Sequence, residues 1–267
     1  MVEEFITKEE RAYLQKLIIK HGFTVGFLFK KIFKEDIASL KISLLDKDLW
    51  LVENIELNAP FILRKDSAAD IFTFASIFLY RWYDFPIDFR PEFIIDCGAN
   101  IGCFSVLIAS RFPEAKVVAI EPERENSIIL EWNTKFYKNI HSIKAAIYSK
   151  PQKVNLIQDL TKREDAFRIT EDEEGDSVEI VNTITIPSIL KSFGYNYIDI
   201  LKIDIEGSEY ELFSKNYEEW LGCVKILIIE FHDRFKPGCR EKVELAIKRF
   251  DCGNPIKVGE NFVYYKK

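Results

Sequence analysis

The chain has 267 residues, 48% of them hydrophobic and 30% charged, the balance of a globular protein long enough to bury a substantial core. A formal net charge of -6 and a pI near 5.4 argue against a broad nucleic-acid face, which needs clustered Lys and Arg. The cysteines (Cys97, Cys103, Cys223, Cys239 and Cys252) have no zinc-ligand spacing, so buried thiols in a reducing compartment are expected. The first ten residues carry four acids and no apolar run, and no stretch of about 20 apolar residues follows. The expectation is a soluble, cytoplasmic chain with no signal peptide and no integral membrane segment.

From the N-terminus, Lys8 to Lys20 reads as an amphipathic helix. Thr24 to Phe33 continues apolar, with Lys30, Lys31 and Lys34 beside it. Packing on a core is the expectation for such a stripe, with a membrane surface or a bound substrate as the alternative. Leu40–Leu45 and Leu49–Leu57 look like short strands. Asp70–Tyr83 looks like an aromatic-rich helix ended by the turn at Asp84, Phe85 and Pro86. Residues 1–90 thus form a mixed α/β extension, in which Phe72, Phe74, Tyr80, Trp82 and Tyr83 either fill a core or line an acceptor pocket.

From Pro91 the texture changes. Phe93–Asp96, Val117–Glu121, Ser142–Tyr148, Ile198–Asp204 and Val224–Phe231 are short, continuously apolar runs, as expected for parallel strands buried on both faces. Helical stretches alternate with them at Gly102–Arg111, Arg124–Phe136, Pro187–Phe193, Ser208–Phe213 and Arg240–Phe250. That alternation predicts an α/β, Rossmann-like sheet over residues 91–267 with helices on both faces. Val154–Ile157 and Val178–Ile186 read as extra strands around the acidic stretch Thr170–Ser177, an exposed loop or a lid. Pro255–Tyr265 reads as a closing strand or hairpin.

Ligands of open α/β sheets bind beyond the carboxyl ends of the strands. Here those ends carry Asp96, Glu121, Asp204 and Glu230, and buried carboxylates need partners. After Asp96 comes Cys97-Gly98-Ala99-Asn100-Ile101-Gly102. Gly98 permits a tight turn and Gly102 a close helix approach. Asn100 stands where a dinucleotide fingerprint has the glycine that admits a pyrophosphate. A ligand without phosphates, such as S-adenosylmethionine, does not need that glycine; its carboxylate and amine can use the amides of the turn and a nearby acid. Glu121 follows Asp96 by about 25 residues, the placement of an acid that accepts from two ribose hydroxyls, and Pro122 opens the next helix. Ala146 would leave room for a flat adenine. The expected cofactor-binding set is therefore Asp96, Gly98, Ala99, Asn100, Gly102, Glu121, Pro122, Ala146 and Asp204.

These segments (Phe93-Ile94-Ile95-Asp96-Cys97-Gly98-Ala99-Asn100-Ile101-Gly102, Ala119-Ile120-Glu121-Pro122, Leu201-Lys202-Ile203-Asp204-Ile205-Glu206-Gly207-Ser208-Glu209 and Ile229-Glu230-Phe231-His232) resemble the FkbM-type methyltransferases. The resemblance spans roughly Phe93 to His232, with Cys97 in place of the usual Val. It implies a class I methyltransferase fold and S-adenosylmethionine-dependent O-methylation of a hydroxyl or carboxyl group in natural products, sugars or lipids, with a peptide as a further acceptor class. The 90-residue leader lies outside the resemblance; leaders of this kind often shape the acceptor pocket. The rival readings are a nicotinamide-dependent oxidoreductase, against which Asn100 argues, and a non-catalytic nucleotide-binding module of the same fold.

Methyl transfer from a sulfonium is an in-line displacement, so positioning supplies much of the acceleration. An alcohol acceptor needs a base; a carboxylate does not. Asp204 is expected near the transferring methyl or the methionine amine, and Glu206, after the turn that Gly207 allows, is expected to be functional, whereas Glu209 reads as a helix N-terminal acid. Glu230 and His232, two apart, share a face. His232 is a candidate general base or a structural cap. A divalent metal on Asp204, Glu230 and His232 is a third arrangement, but the resemblance implies no metal and none is expected.

Overall fold

The computed structural model describes residues 40–45, 48–54, 57–65, 67–78, 80–158, 167–170 and 177–267. The helices expected at Lys8–Lys20 and Thr24–Phe33, and positions 171–176 of the acidic loop, lie outside the described residues. Contacts divide the chain between Arg81 and Trp82.

The first unit has an antiparallel three-stranded sheet, β1 (Leu40–Leu44), β2 (Leu49–Asn54) and β3 (Phe61–Arg64), followed by helix α1 (Ala68–Phe78). Asp70 anchors the helix start: its buried carboxylate accepts from the Arg64 backbone and guanidinium and from the Ser67 hydroxyl. Phe74 lies 5.5 Å from Phe61 and 4.5 Å from Phe78, ring to ring. The helix stops at Phe78 rather than Tyr83, because the Tyr80 N–H reaches back to the Ala75 carbonyl and Arg81 takes a left-handed φ of 58°. Phe74 therefore belongs to a core, and Trp82 and Tyr83 lie beyond the helix.

The second unit is the Rossmann-like part. Its elements are β4 (Phe93–Cys97), α2 (Cys103–Arg111), β5 (Lys116–Ile120), α3 (Arg124–Thr134), β6 (Ile140–Ile143), β7 (Ala146–Ile147), β8 (Lys153–Gln158), β9 (Phe167–Thr170), β10 (Ser177–Ile184), α4 (Ile186–Phe193), β11 (Ile198–Ile203), α5 (Glu209–Leu212), β12 (Val224–Ile229), α6 (Cys239–Ile247), β13 (Ile256–Val258) and β14 (Asn261–Tyr265). The central sheet runs β13-β14-β12-β11-β4-β5-β6. It is parallel except for β14, which pairs antiparallel with both β12 and β13 as the closing hairpin. Phe93, Ile95 and Cys97 point to the face covered by Ile189 of α4 and Val243 of α6. On the other face Asp96 meets Ser105 of α2, and Ala119 packs on Leu130 of α3. Helices thus cover both faces.

The run Ser142–Tyr148 does not form one strand. The Ile143 carbonyl takes the Glu121 N–H, and the chain then leaves the central sheet. Ala146–Ile147 pairs with β10, in a second sheet of order β7-β10-β8-β9. Elsewhere the expected elements stand within a few residues of their anticipated ends.

Strand order reverses between β4 and β11, which places the switch-point crevice at the Cys97 and Ile203 ends. At the opposite end, buried Asp199 of β11 accepts the N–H groups of Glu92 (2.7 Å) and Phe93 (3.1 Å) and pairs with Lys225 at 2.5 Å. This carboxylate fixes the register of β4 against β11. Asp199→Ala leaves two N–H groups without an acceptor and is expected to cost about 3 kcal/mol, a fall in melting temperature of about 6–12 °C. An unchanged thermal transition would show that the carboxylate does not tie the strands.

Candidate active site

The glycine turn is built by close backbone contact. Gly98 has φ 82°, and a Cβ there would lie 1.8 Å from the Asp204 carbonyl oxygen. The Asp204 N–H in turn bonds the Cys97 carbonyl. Only glycine lets the two strand ends meet in this way. Asn100 has a left-handed φ of 49°, a conformation Asn tolerates through its short polar side chain. A Cβ on Gly102 would lie 2.8 Å from Leu130, so its absence sets the approach of α2 to α3. The Gly98 and Ala99 N–H groups both bond the Ile120 carbonyl, Asn100 N–H bonds Glu121, and Gly102 N–H bonds the Ala99 carbonyl. These four amides of the turn, expected to receive a ligand carboxylate, already have acceptors within the protein.

Glu121 stands just past β5, 6% exposed, with Asn100 N–H on one oxygen and Glu123 N–H on the other. Burial pushes its pKa up to about 7, against the lowering effect of those two N–H groups. Pro122 precedes Glu123, the N-cap of α3. Ala146 packs with Val154, Leu156 and Val181 in the second sheet rather than at the end of a central strand; the early exit of the chain after Ile143 moves it there. Cys97 is fully buried, and burial pushes its thiol up, so it serves as a small apolar side chain.

Asp96 is fully buried. Its Oδ2 accepts from Ser105 at 2.6 Å, and its Oδ1 lies 3.4 Å from the Lys202 ammonium. Lys202 is a charge in the middle of an apolar strand. It also donates to Asp204 and to the Gly98 carbonyl, both at 3.2 Å. Burial alone would lower its pKa, but Asp204, Tyr83 and Asp96 outweigh that and hold it well above the ordinary value. For Asp96 burial prevails, and its carboxyl is raised despite Lys202 and Ser105.

The second cluster lies at the ends of β11 and β12. His232 is 2% exposed, and its Nδ1 bonds Glu209 Oε1 at 2.9 Å. Its Nε2 makes no hydrogen bond and faces Glu230 at 3.3 Å, Glu206 at 3.4 Å and Asp204 at 3.7 Å. The four residues expected on the acceptor side are therefore brought together. Glu209 opens α5 as a helix-end acid should, and it also serves the imidazole. It is wholly buried, takes the Ile205 and Gly207 N–H groups, and orients the imidazole. The turn that carries Glu206 is left-handed at Glu206 (φ 53°) and Gly207 (φ 96°). Sequence reasoning missed Lys202 and Glu209 as site residues. Lys202 had a visible signal, a lone cation among Ile200, Leu201 and Ile203; Glu209 had none, since its partner is 23 positions away.

Asp96 Oδ1 and Asn100 Oδ1 are buried acceptors with no hydrogen-bond donor. Asp96 lies in β4 just before the glycine turn, Asn100 in the turn, and Glu121 just past β5 on the Asn100 N–H, and the three acceptors suit a ligand that brings an ammonium and ribose hydroxyls. S-adenosylmethionine is such a ligand, and the residues fit it.

Lys202→Met strands the buried Asp96 carboxylate and is expected to destabilise the fold by about 3–5 kcal/mol, with Asp96→Asn in the same chain recovering part of the loss. Chemical denaturation of both variants checks this. A double variant no more stable than Lys202→Met alone would show that Asp96 is not the group Lys202 compensates.

The Methyltransferase FkbM domain model matches residues 96–250, more than half of the chain. Methyltransferase sdnD of Sordaria araneosa is 25% identical over 213 residues, covering 67% of this chain and 82% of that protein. Methyltransferase 1 of Beauveria bassiana is 22% identical over 233 residues, covering 75% and 90%. The crystal structure of a methyltransferase FkbM from Methylobacillus flagellatus aligns with a TM-score of 0.45 at 17% identity, over 72% of this chain and 48% of that one. The chain belongs to the FkbM methyltransferase family, and S-adenosylmethionine is its cofactor.

Proposed function

We propose that the protein is an O-methyltransferase acting on a hydroxyl group of a small-molecule acceptor: a natural product, a sugar, a lipid or a peptide. The observation that carries this reading is the convergence of Asp204, Glu206 and Glu230 on the unpartnered Nε2 of His232. Three carboxylates repel an anionic acceptor, whereas a hydroxyl can donate to them. The hydroxyl reading is therefore favoured over the carboxylate one.

When bound, S-adenosylmethionine supplies a methyl group on a sulfonium, open to in-line displacement. The protein does the rest. Glu121 accepts from the ribose hydroxyls, and Asp96 and Asn100 face the donor groups of the amino acid end. The His232 cluster holds the acceptor oxygen in line and receives its proton. Gly98, pressed on Asp204, keeps the cofactor side and the acceptor side at a fixed separation.

Incubation with methyl-labelled cofactor and a panel of alcohols and carboxylic acids tests the function. Label is expected in alcohols. Label in carboxylates alone would overturn the hydroxyl assignment, and no transfer to any acceptor would favour a non-catalytic binding module. His232→Ala is expected to lower turnover by roughly 10²–10⁴; near-normal turnover would remove the imidazole from the chemistry. Glu121→Ala should weaken S-adenosylhomocysteine binding by about 1–3 kcal/mol. Because the ionised carboxylate is the better acceptor, affinity in the unmodified protein should fall as pH drops through about 7, and Glu121→Gln should flatten that dependence. Calorimetry at pH 6 and pH 8 decides it: equal affinities in the unmodified protein would sink the ribose role.

A further inference from the structure

We propose that Asp204, Glu230 and His232 form a binding site for a divalent cation of the Mg2+ or Mn2+ type at the carboxyl ends of β11 and β12. The inference rests on the O-methyl transfer reading and gives its acceptor cluster a cation.

One ligand atom from each of the three residues lies within 4.8 Å of the others. Acids gathered at a cleft are common without a metal, so the imidazole is the deciding observation. His232 is 2% exposed, its Nε2 has no hydrogen bond, and that atom is aimed at carboxylate oxygens 3.3–3.7 Å away. Glu209 holds the other ring nitrogen at 2.9 Å, and Glu209 is itself fixed by the Ile205 and Gly207 N–H groups. Glu209 on Nδ1 orients the ring and points Nε2 at the carboxylates, a position that takes either a proton or a cation. Metal-ligating histidines are oriented in this way. A lone pair facing several carboxylate oxygens is repulsive unless something positive stands between them. Adjacent ligands of a six-coordinate cation with bonds of about 2.1 Å lie about 3 Å apart, so small side-chain movements bring the three atoms onto one face of the shell and leave its other positions to water or the acceptor oxygen.

The remaining partners leave these atoms available. Lys202 engages Asp204 through Oδ2, whereas Oδ1 is the oxygen nearer His232. Glu206 Oε2 lies 3.4 Å from Nε2 and 3.4 Å from Arg234, and so stays beside the cation. Two carboxylates and one imidazole make an oxygen-rich, hard donor set, which suits Mg2+ or Mn2+ better than a thiolate-seeking ion. A cation there lowers the pKa of an acceptor hydroxyl. The hydroxyl proton passes to Glu206 and the oxygen lone pair forms the bond to the methyl carbon. The carbon–sulfur bond breaks with its electron pair going to sulfur, which leaves the neutral thioether. His232 then serves as a ligand, and the proton goes to the neighbouring carboxylate.

The test is Mn2+ binding to the full chain, followed by electron paramagnetic resonance of the free ion and by calorimetry, in the absence of acceptor. One Mn2+ per chain is expected, displaced by Mg2+, with affinity at least tenfold weaker in Glu230→Gln and in His232→Ala. Glu211→Gln, an acid outside the cluster, should bind as the unmodified chain does. Circular dichroism melting verifies that each variant is folded, and Glu230→Gln, at a half-buried position, carries the test if His232→Ala does not fold. No stoichiometric Mn2+ binding, or binding unchanged in folded Glu230→Gln, overturns the site and leaves a proton as the occupant of Nε2. Labelled methyl transfer that persists at full rate in chelator while no Mn2+ binds would remove the cation and spare the methyltransferase reading. Mn2+ binding that depends on Glu230, with no acceptor methylated, would spare the cation site and remove the hydroxyl reading.

Discussion

The contact between Gly98 and the backbone of Asp204 is the constraint on which the site depends. The Asp204 carbonyl occupies the space in which any side chain at position 98 would stand, and the Asp204 N–H closes the contact on Cys97. Two strand ends far apart in sequence thereby become one rigid surface. Everything to the β5 side, Asn100 and Glu121 above all, faces the cofactor in the proposed arrangement. Everything to the β12 side, Glu230 and His232, faces the acceptor. An in-line displacement tolerates little error in the distance between its two reacting groups, and a contact between main chains is stiffer than one between side chains.

Beneath that surface the charges are layered. Lys202 lies under the turn, where Asp96, Asp204 and the Gly98 carbonyl solvate it in place of water. Such a buried triad is weak evidence for stability in itself, yet it offers the paired carboxylates no other position. On Asp204 the ammonium takes Oδ2 and leaves Oδ1 turned toward His232, whereas on Asp96 it faces Oδ1 at 3.4 Å while Ser105 takes Oδ2. Glu209 does for His232 what Lys202 does for Asp204, holding one edge of the group so that the other edge faces the cleft. A functional side chain with one satisfied edge and one open edge is the motif repeated through this site.

Much of this was legible in the residues because burial writes itself into strands as uninterrupted apolar runs, and an acid at the end of such a run demands a partner. Asp96, Glu121, Asp204 and Glu230 were visible on that ground, and Gly98 and Gly102 through the turn they permit. What was not legible depends on chain paths that no short window contains. Ala146 looked like the end of a central strand, but the strand is released once Ile143 has accepted the Glu121 N–H, and three residues later the chain pairs with β10. Glu209 looked like a helix-end acid because its local sequence is that of a helix start; its burial against His232 comes from the packing of α5 and α6 over the end of β12. Helix α1 ends early for a local reason, the Tyr80 N–H taken by Ala75, that composition does not encode.

The two left-handed non-glycine residues of the site complete the argument. Asn100 and Glu206 follow the ends of β4 and β11 and flank the Gly98–Asp204 contact. Each costs conformational energy that a different local sequence would have avoided, and such strain persists where surrounding structure over-determines it. At Asn100 the bond from its N–H to Glu121 enforces the turn, and the side-chain oxygen is left without a donor. At Glu206 the Gly207 N–H, taken by Glu209, enforces it, and the carboxylate is carried to within 3.4 Å of Nε2. In both cases the left-handed residue sets an acceptor beside the strand ends, Asn100 Oδ1 without a donor and Glu206 Oε2 next to Nε2.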